Sequence, residues 1–88
     1  MGLLVLEQHI AQTYTKYQSL KIKRQSVEQE IGLWQQIMTK YTDYPDGYFH
    51  LATLEYELGN NRMAKVYLNK TLKLNPNYPV AADLSPLD

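Results

Sequence analysis

Residues 45–76 decide the fold, and they read PDGYFHLATLEYELGNNRMAKVYLNKTLKLNP. Pro45 has a fixed φ and no N–H, which suits the first turn of a helix. Apolar residues then recur at intervals of three and four, as they do along one buried helix face. Gly59 accepts the left-handed conformation that ends a helix, the asparagine after it suits the cap of the next helix, and Pro76 stops that helix. The stretch therefore predicts two short helices joined by a tight turn.

The spacing within this stretch resembles the tetratricopeptide repeat, a 34-residue pair of helices with the pattern W-x2-L-G-x2-Y, then A-x3-F, then P. The matching positions are Tyr48, Leu51, Ala52, Glu55, Ala64, Leu68 and Pro76. The differences from the pattern preserve size or hydrophobicity, except that Glu55 stands in place of the tyrosine. The resemblance covers residues 43–78 and implies one antiparallel hairpin, in which Ala52 and Ala64 let the two helices approach closely.

The same resemblance implies a surface that binds other proteins. In this family the first helix of a repeat lines a concave groove that holds extended or helical peptides. Carried onto this chain, that face comprises Phe49, Thr53, Tyr56 and Glu57. Its two aromatic rings suit an apolar anchor on an unidentified protein or peptide; the alternative is that the preceding helix, or its copy, covers them. Some family members clamp a C-terminal carboxylate with basic and asparagine side chains, but Phe49 and Thr53 stand at those positions.

A long helix precedes the hairpin. From Leu3 to Tyr41 the chain has no proline, one glycine and many strong helix formers. Alternating steps of three and four residues trace one heptad seam. Its members are Leu3, Leu6, Ile10, Thr13, Tyr17, Leu20, Arg24, Val27, Ile31, Trp34, Met38 and Tyr41. The pattern predicts a coiled-coil type of helix. Arg24 falls at a core-type position, where it either extends its charged end to water over its own stem, the alternative we favour, or sets the register or oligomer state of the coiled coil.

The length of this helix predicts self-association. A helix of about 39 residues is nearly 60 Å long, whereas each hairpin helix spans about 20 Å and covers only the last third, around Val27 to Tyr41. The remaining seam needs another cover, for which a second copy is the simplest candidate. We therefore expect a homodimer through Leu3, Leu6, Ile10, Tyr17 and Leu20, with its orientation open. The alternative is a break between Ser19 and Ser26 that folds the first half back over the hairpin.

The sequence thus predicts an all-α protein in three parts. Residues 1–42 form a long helix with a heptad seam, residues 43–78 form the repeat-like hairpin, and residues 79–88 form a short C-terminal cap or a disordered tail. A chain of 88 residues without cysteine has a marginal core of its own and no disulfide to reinforce it. Packing against a second copy would add the stability that this small core lacks.

The composition argues against several classes of function. Nine basic and nine acidic side chains balance, which argues against nucleic-acid binding. The two histidines, His9 and His50, are far apart and no cysteine joins them, so we expect no metal site and no cofactor. Neighbouring glutamates are two residues apart and point to different helix faces, which is unsuitable for shared acid–base catalysis. We therefore expect no enzymatic activity.

The leading hypothesis is a cytoplasmic, self-associating scaffold for protein–protein interaction. The opening run, Leu3 to Leu6, is too short to cross a bilayer and lacks the flanks of a signal peptide. The alternative is the soluble end of a membrane-anchored stalk that presents the hairpin. That alternative requires about 20 apolar residues upstream of Leu3.

Overall fold

The computed structural model describes residues 2–80 and residue 84, with the side chains of residue 16, residues 18–80 and residue 84. In this part of the chain the fold is all-helical, as predicted. Helix α1 spans Gly2–Lys40, α2 spans Pro45–Glu57 and α3 spans Asn61–Leu74. Helix α1 is continuous, so the predicted alternative of a break between Ser19 and Ser26 is wrong. The molecule measures 62 × 27 × 17 Å, and its long dimension follows α1.

The turn between α2 and α3 forms as the sequence predicts. Gly59 has a φ of +79°, the left-handed region that favours glycine. Its N–H donates to the carbonyl oxygen of Tyr56, and the N–H of Asn60 donates to that of Glu55, both at 2.9 Å. These two bonds form the Schellman motif, which satisfies carbonyl groups left free at a helix C-terminus. The motif reverses the chain so that α3 packs along α2.

Small side chains allow the close packing of the hairpin. Ala52 and Ala64 are fully buried, and Leu51 and Leu68 fill the space beside them. Thr71 is also fully buried, and its hydroxyl donates to the carbonyl oxygen of Tyr67 at 3.0 Å within α3. The hairpin core is therefore mostly apolar, and the buried hydroxyl of Thr71 is satisfied by its own helix.

Helix α1 packs on the hairpin through its C-terminal half. Ile31 and Met38 are buried, and Val27 and Trp34 pack against the same core. Met38 lies directly against Gly47, and the ring centroids of Trp34 and His50 are 4.7 Å apart. The predicted seam residues from Val27 to Met38 therefore do meet the hairpin. Beyond α3, Leu84 adds a fully buried side chain to this core.

Tyr41 was predicted to belong to the buried seam, but its ring is exposed. Helix α1 ends at Lys40 and α2 does not begin until Pro45, so Tyr41 lies in the loop between the two helices. The ammonium nitrogen of Lys40 lies 5.9 Å from the centre of the Tyr41 ring. The contact between α1 and the hairpin therefore ends at Met38.

Two glycines should respond to alanine substitution with opposite signs. A Cβ at Gly47 would overlap the sulfur of Met38, whereas a Cβ at Gly32 meets no atom within 4 Å. We expect Gly47→Ala to lower the free energy of unfolding by about 1–3 kcal/mol through overpacking. Gly32→Ala should raise it by about 0.5–1 kcal/mol, because alanine loses less backbone entropy in a helix. Urea melts at one protein concentration measure both; a Gly47→Ala variant as stable as Gly32→Ala would contradict the packing of α1 on α2.

Candidate interaction surfaces

One stripe of α1 serves both as the packing surface for the hairpin and as the predicted seam. Ile31 and Met38, opposite α2, are only 7% and 5% exposed. Leu20 lies on the same stripe and is 60% exposed. Since Leu20 precedes Val27 by two helix turns, or about 10 Å, it lies beyond the end of the hairpin. The stripe therefore continues as an uncovered apolar surface where the hairpin stops.

A groove lies at the point where the stripe leaves the hairpin. We call it the α1–α2 groove; it is about 530 Å³ and is lined by Leu20, Lys21, Lys23, Arg24, Val27, Glu57 and Leu58. Its apolar side chains come from both helices, whereas its three cations all come from α1. Arg24 lies 3.3 Å from Glu28 on the same helix, and both side chains are more than half exposed. The charged end of Arg24 therefore points to water.

Four of the five seam residues that we expect to join two copies carry side chains outside the described part of the chain. Their backbone belongs to α1, which spans Gly2–Lys40. The side chains of Leu3, Leu6, Ile10 and Tyr17 lie outside the described residues. Of the five, Leu20 is the residue whose side chain the structure describes.

The face predicted from the family resemblance is divided between two places. Phe49, Thr53 and Tyr56 follow one another at helical spacing and are all half-buried. The Thr53 hydroxyl donates to the carbonyl oxygen of Phe49 at 3.1 Å, a bond within α2. Glu57 is exposed and lines the α1–α2 groove. The structure therefore brings three of the four residues to one face and places Glu57 at the neighbouring groove.

The ring that packs on Phe49 comes from the segment after α3. The ring centroids of Phe49 and Tyr78 are 5.1 Å apart at an angle of 46°. The backbone N–H of Tyr78 donates to the carbonyl oxygen of Asn75 at 3.0 Å, and the Asn75 side chain accepts from the N–H of Asn77 at 3.1 Å. These bonds hold the segment in a turn. Sequence analysis did not assign a contact to Tyr78, although a tyrosine beside two prolines marks a constrained aromatic position.

Tyr78 also binds the start of α2. Burial raises the pKa of its hydroxyl to about 12, and a hydrogen bond to the Asp46 carboxylate, the negative charge of Asp46 and nearby Tyr44 add to this effect. Because the hydrogen bond favours the neutral form, the hydroxyl is the donor. The segment after α3 is therefore attached to α2 by a ring contact with Phe49, and the Asp46 carboxylate lies near enough to the Tyr78 hydroxyl to disfavour its ionisation.

The raised pKa predicts a loss of stability in alkaline solution. An unfolded tyrosine has a pKa of about 10, so the folded state holds this proton more tightly. The resulting stabilisation is complete below about pH 10 and is lost as the pH rises toward 12. Absorbance at 295 nm (a tyrosinate band), titrated for the chain and for Tyr78→Phe, should differ by one tyrosine that ionises near pH 12. A difference that titrates near pH 10 would contradict the contact with Asp46.

A buried carboxylate lies beside the hairpin turn. Glu55 is 7% exposed, and its Oε2 accepts a hydrogen bond from Asn60 Nδ2 at 2.7 Å. Asn60 occupies the N-cap position of α3, as predicted, but its side chain makes no capping bond. It binds Glu55 instead, which explains how a carboxylate is accommodated where the repeat pattern has tyrosine. The pair stabilises the turn, and sequence analysis did not foresee it.

Tyr48 and Tyr67 form a second aromatic cluster that connects all three helices. Their ring centroids are 6.5 Å apart, and the ammonium nitrogen of Lys70 lies 5.5 and 5.8 Å from the two rings. Gln35 Nε2 donates to the hydroxyl of Tyr67 at 3.1 Å and so joins α1 to α3. Tyr67 is buried and Tyr48, one of the positions that match the repeat pattern, is half-buried. The cluster is occupied by the chain's own lysine.

The described residues show no arrangement typical of a metal site. No group of three or more potential metal-binding side chains occurs among them. His50 Nε2 lies 3.7 Å from Glu30, and its ring packs on Trp34, at the contact between α2 and α1. Within the same described part of the chain, no helix combines the length and hydrophobicity needed to cross a membrane.

Comparison with known proteins found no matching family model, no similar curated protein and no similar solved structure. The resemblance to the tetratricopeptide repeat therefore depends on the spacing of residues 43–78 alone. The surfaces described above provide the physical basis for a function, namely the open stripe of α1 and the aromatic face of α2.

Proposed function

We propose that this chain is a non-catalytic, cytoplasmic scaffold of the tetratricopeptide type that associates with itself and binds other proteins. Helix α1 joins two copies into a homodimer, and the hairpin stabilises each copy and presents a surface to a partner. The observation that supports this proposal best is the exposure of Leu20. It lies on the stripe that is half-buried at Val27 and buried at Ile31, and it remains 60% exposed.

The apolar stripe of α1 continues past the end of the hairpin. Burying a leucine or isoleucine side chain fully contributes about 1.5–3 kcal/mol, so a helix that leaves such a row in water gives up a large stabilisation. Helix propensity alone stabilises an isolated helix only marginally. The seam positions Leu3, Leu6, Ile10 and Tyr17 continue the heptad spacing of Leu20. A second copy of the same helix has a matching row and would cover it.

The aromatic face of α2 is the surface we propose for a protein or peptide partner. Phe49, Thr53 and Tyr56 form its centre, and Glu57 lies at its edge beside the α1–α2 groove. Half-buried rings that are held by their surroundings lose little entropy on binding, which suits them as anchors. Tyr78 packs on Phe49, so a partner would bind beside this ring or displace it.

A mixing experiment tests self-association directly. A tagged copy and an untagged copy of the chain are mixed, unfolded, refolded together and captured through the tag. With equal amounts of the two copies, identical seams pair at random, so we expect about one untagged chain to be retained for every two tagged chains. An Ile22→Glu copy serves as the control, since Ile22 is 63% exposed on a different face of α1 and should still be retained. Recovery of the tagged copy alone would contradict the proposal.

A further inference from the structure

The hairpin occupies the heptad seam along the C-terminal half of α1. Val27, Ile31 and Met38 belong to the seam by their spacing, and all three pack against the hairpin core. Leu58, at the C-terminal end of α2, packs against the same core and borders the α1–α2 groove. A second helix therefore has no access to the seam from Val27 onward. The orientation of a dimer is limited by this occupied space.

A parallel dimer conflicts with the hairpin. Two coiled-coil helices lie about 8–10 Å apart and cross at about 20°. From Leu20 to Val27 the axis advances about 10 Å, over which such helices diverge by only ~4 Å. The partner's helix would then pass through the volume held by Leu58 and the rest of α2. The hairpin of the second copy, packed on the seam of its own α1, would need the same space between the two helices.

We infer that the two copies pack antiparallel, each covering residues 3–20 of the other. The inference rests on the proposed self-association. On each α1, the N-terminal half of the partner's helix then packs on the same stripe as α2. The two lie one after the other along this stripe without overlapping, and the two hairpins lie at opposite ends of the dimer. The stripe of each α1 is thus covered by its own hairpin from Val27 onward and by the second copy up to Leu20.

The heptad spacing gives this arrangement one register. In antiparallel coiled coils each first core position of a heptad packs opposite a second core position of the partner. Aligning Leu3 of one copy with Leu20 of the other also pairs Leu6 with Tyr17 and Ile10 with Thr13. Every seam residue from 3 to 20 then has a seam residue opposite, and the two-fold axis passes between residues 11 and 12. Arg24 stays outside the paired segment, free to keep its contact with Glu28.

Distances between spin labels distinguish the arrangements. The chain has no cysteine, so Gln12→Cys and Ile22→Cys each provide one labelling site away from the seam. In the proposed register the two labels at position 12 lie level, less than roughly 20 Å apart, whereas those at position 22 are offset by about 32 Å along the axis. Double electron–electron resonance should therefore give a short distance at position 12 and a distance of about 30–35 Å at position 22.

Each other outcome overturns the inference. Short distances at both positions would show a parallel pair. A short distance at position 22 with a long one at position 12 would show an antiparallel pair centred near the middle of α1. Both results would leave self-association intact while contradicting this register. The absence of any coupling between copies would contradict self-association itself, and with it the antiparallel pair.

Discussion

Replacing Ala64 with leucine should lower the free energy of unfolding by about 1–3 kcal/mol, because the larger side chain has no space between α2 and α3. Ala64 is fully buried on α3, and Ala52 is fully buried on the helix that packs against it. Three additional carbon atoms would force the helices apart or push Leu51 and Leu68 from their positions. For a domain of this size, each kilocalorie lowers the midpoint of a thermal melt by roughly 4–8 °C.

Lys65→Leu is the matched control for this substitution. Lys65 is the next residue of α3 and is exposed, so leucine there should change stability by no more than about 0.5 kcal/mol. Thermal melts followed by circular dichroism measure both variants. An unchanged midpoint for Ala64→Leu would mean that the two helices do not approach closely at this position, and the alignment with the tetratricopeptide pattern would be wrong.

The second large effect concerns the seam. Leu6→Glu combined with Leu20→Glu should convert the dimer into a monomer at concentrations on the order of tens of micromolar. Each dimer would contain four carboxylates at seam positions, and burying an unpaired charge is far more costly than burying a leucine is favourable. In the monomer the same glutamates are solvated. The hairpin should remain folded, since Leu20 lies beyond its end.

Ile22→Glu again provides the comparison on the same helix. Its side chain is as exposed as that of Leu20 but lies on another face of α1. We expect this variant to keep the mass of the unmodified chain. Dissociation by Ile22→Glu to the same extent as by the seam variant would show that general charge repulsion, and not the seam, controls association.

The hairpin was largely predictable because its signals are local. Pro45 begins α2, and the left-handed Gly59 ends it, as the two residue types require. The Tyr78 contact with Phe49 could not be derived in this way, because it joins residues far apart in the sequence. The burial of Glu55 also depends on tertiary packing, since a glutamate in a helix is normally solvated.

The candidate surfaces were predictable to different degrees. The exposure of Leu20 follows from comparing helix lengths, because a short hairpin covers only part of a long helix. The occupation of the seam by the hairpin, and hence the antiparallel inference, required the positions of Val27 and Leu58 in three dimensions. The placement of Glu57 at the α1–α2 groove likewise depends on where α1 crosses the end of α2.

The antiparallel pair that we propose would also distinguish the scaffold from the membrane-anchored stalk. It places the N-terminal ends of the two copies on opposite sides of the dimer. A stalk that holds two hairpins off one membrane would need both N-terminal ends at the same surface. The label distances proposed above therefore bear on function as well as on geometry, and a parallel result would favour the stalk.

The molar mass of the unmodified chain in solution tests the central claim most directly. Size-exclusion chromatography with multi-angle light scattering gives this mass without assuming a shape, which matters for a molecule 62 Å long. Loaded at concentrations on the order of tens of micromolar, where a dimer of ordinary affinity is populated, the chain should elute with a mass twice its own 10.3 kDa. A mass that stays at 10.3 kDa as the concentration is raised would contradict self-association through α1.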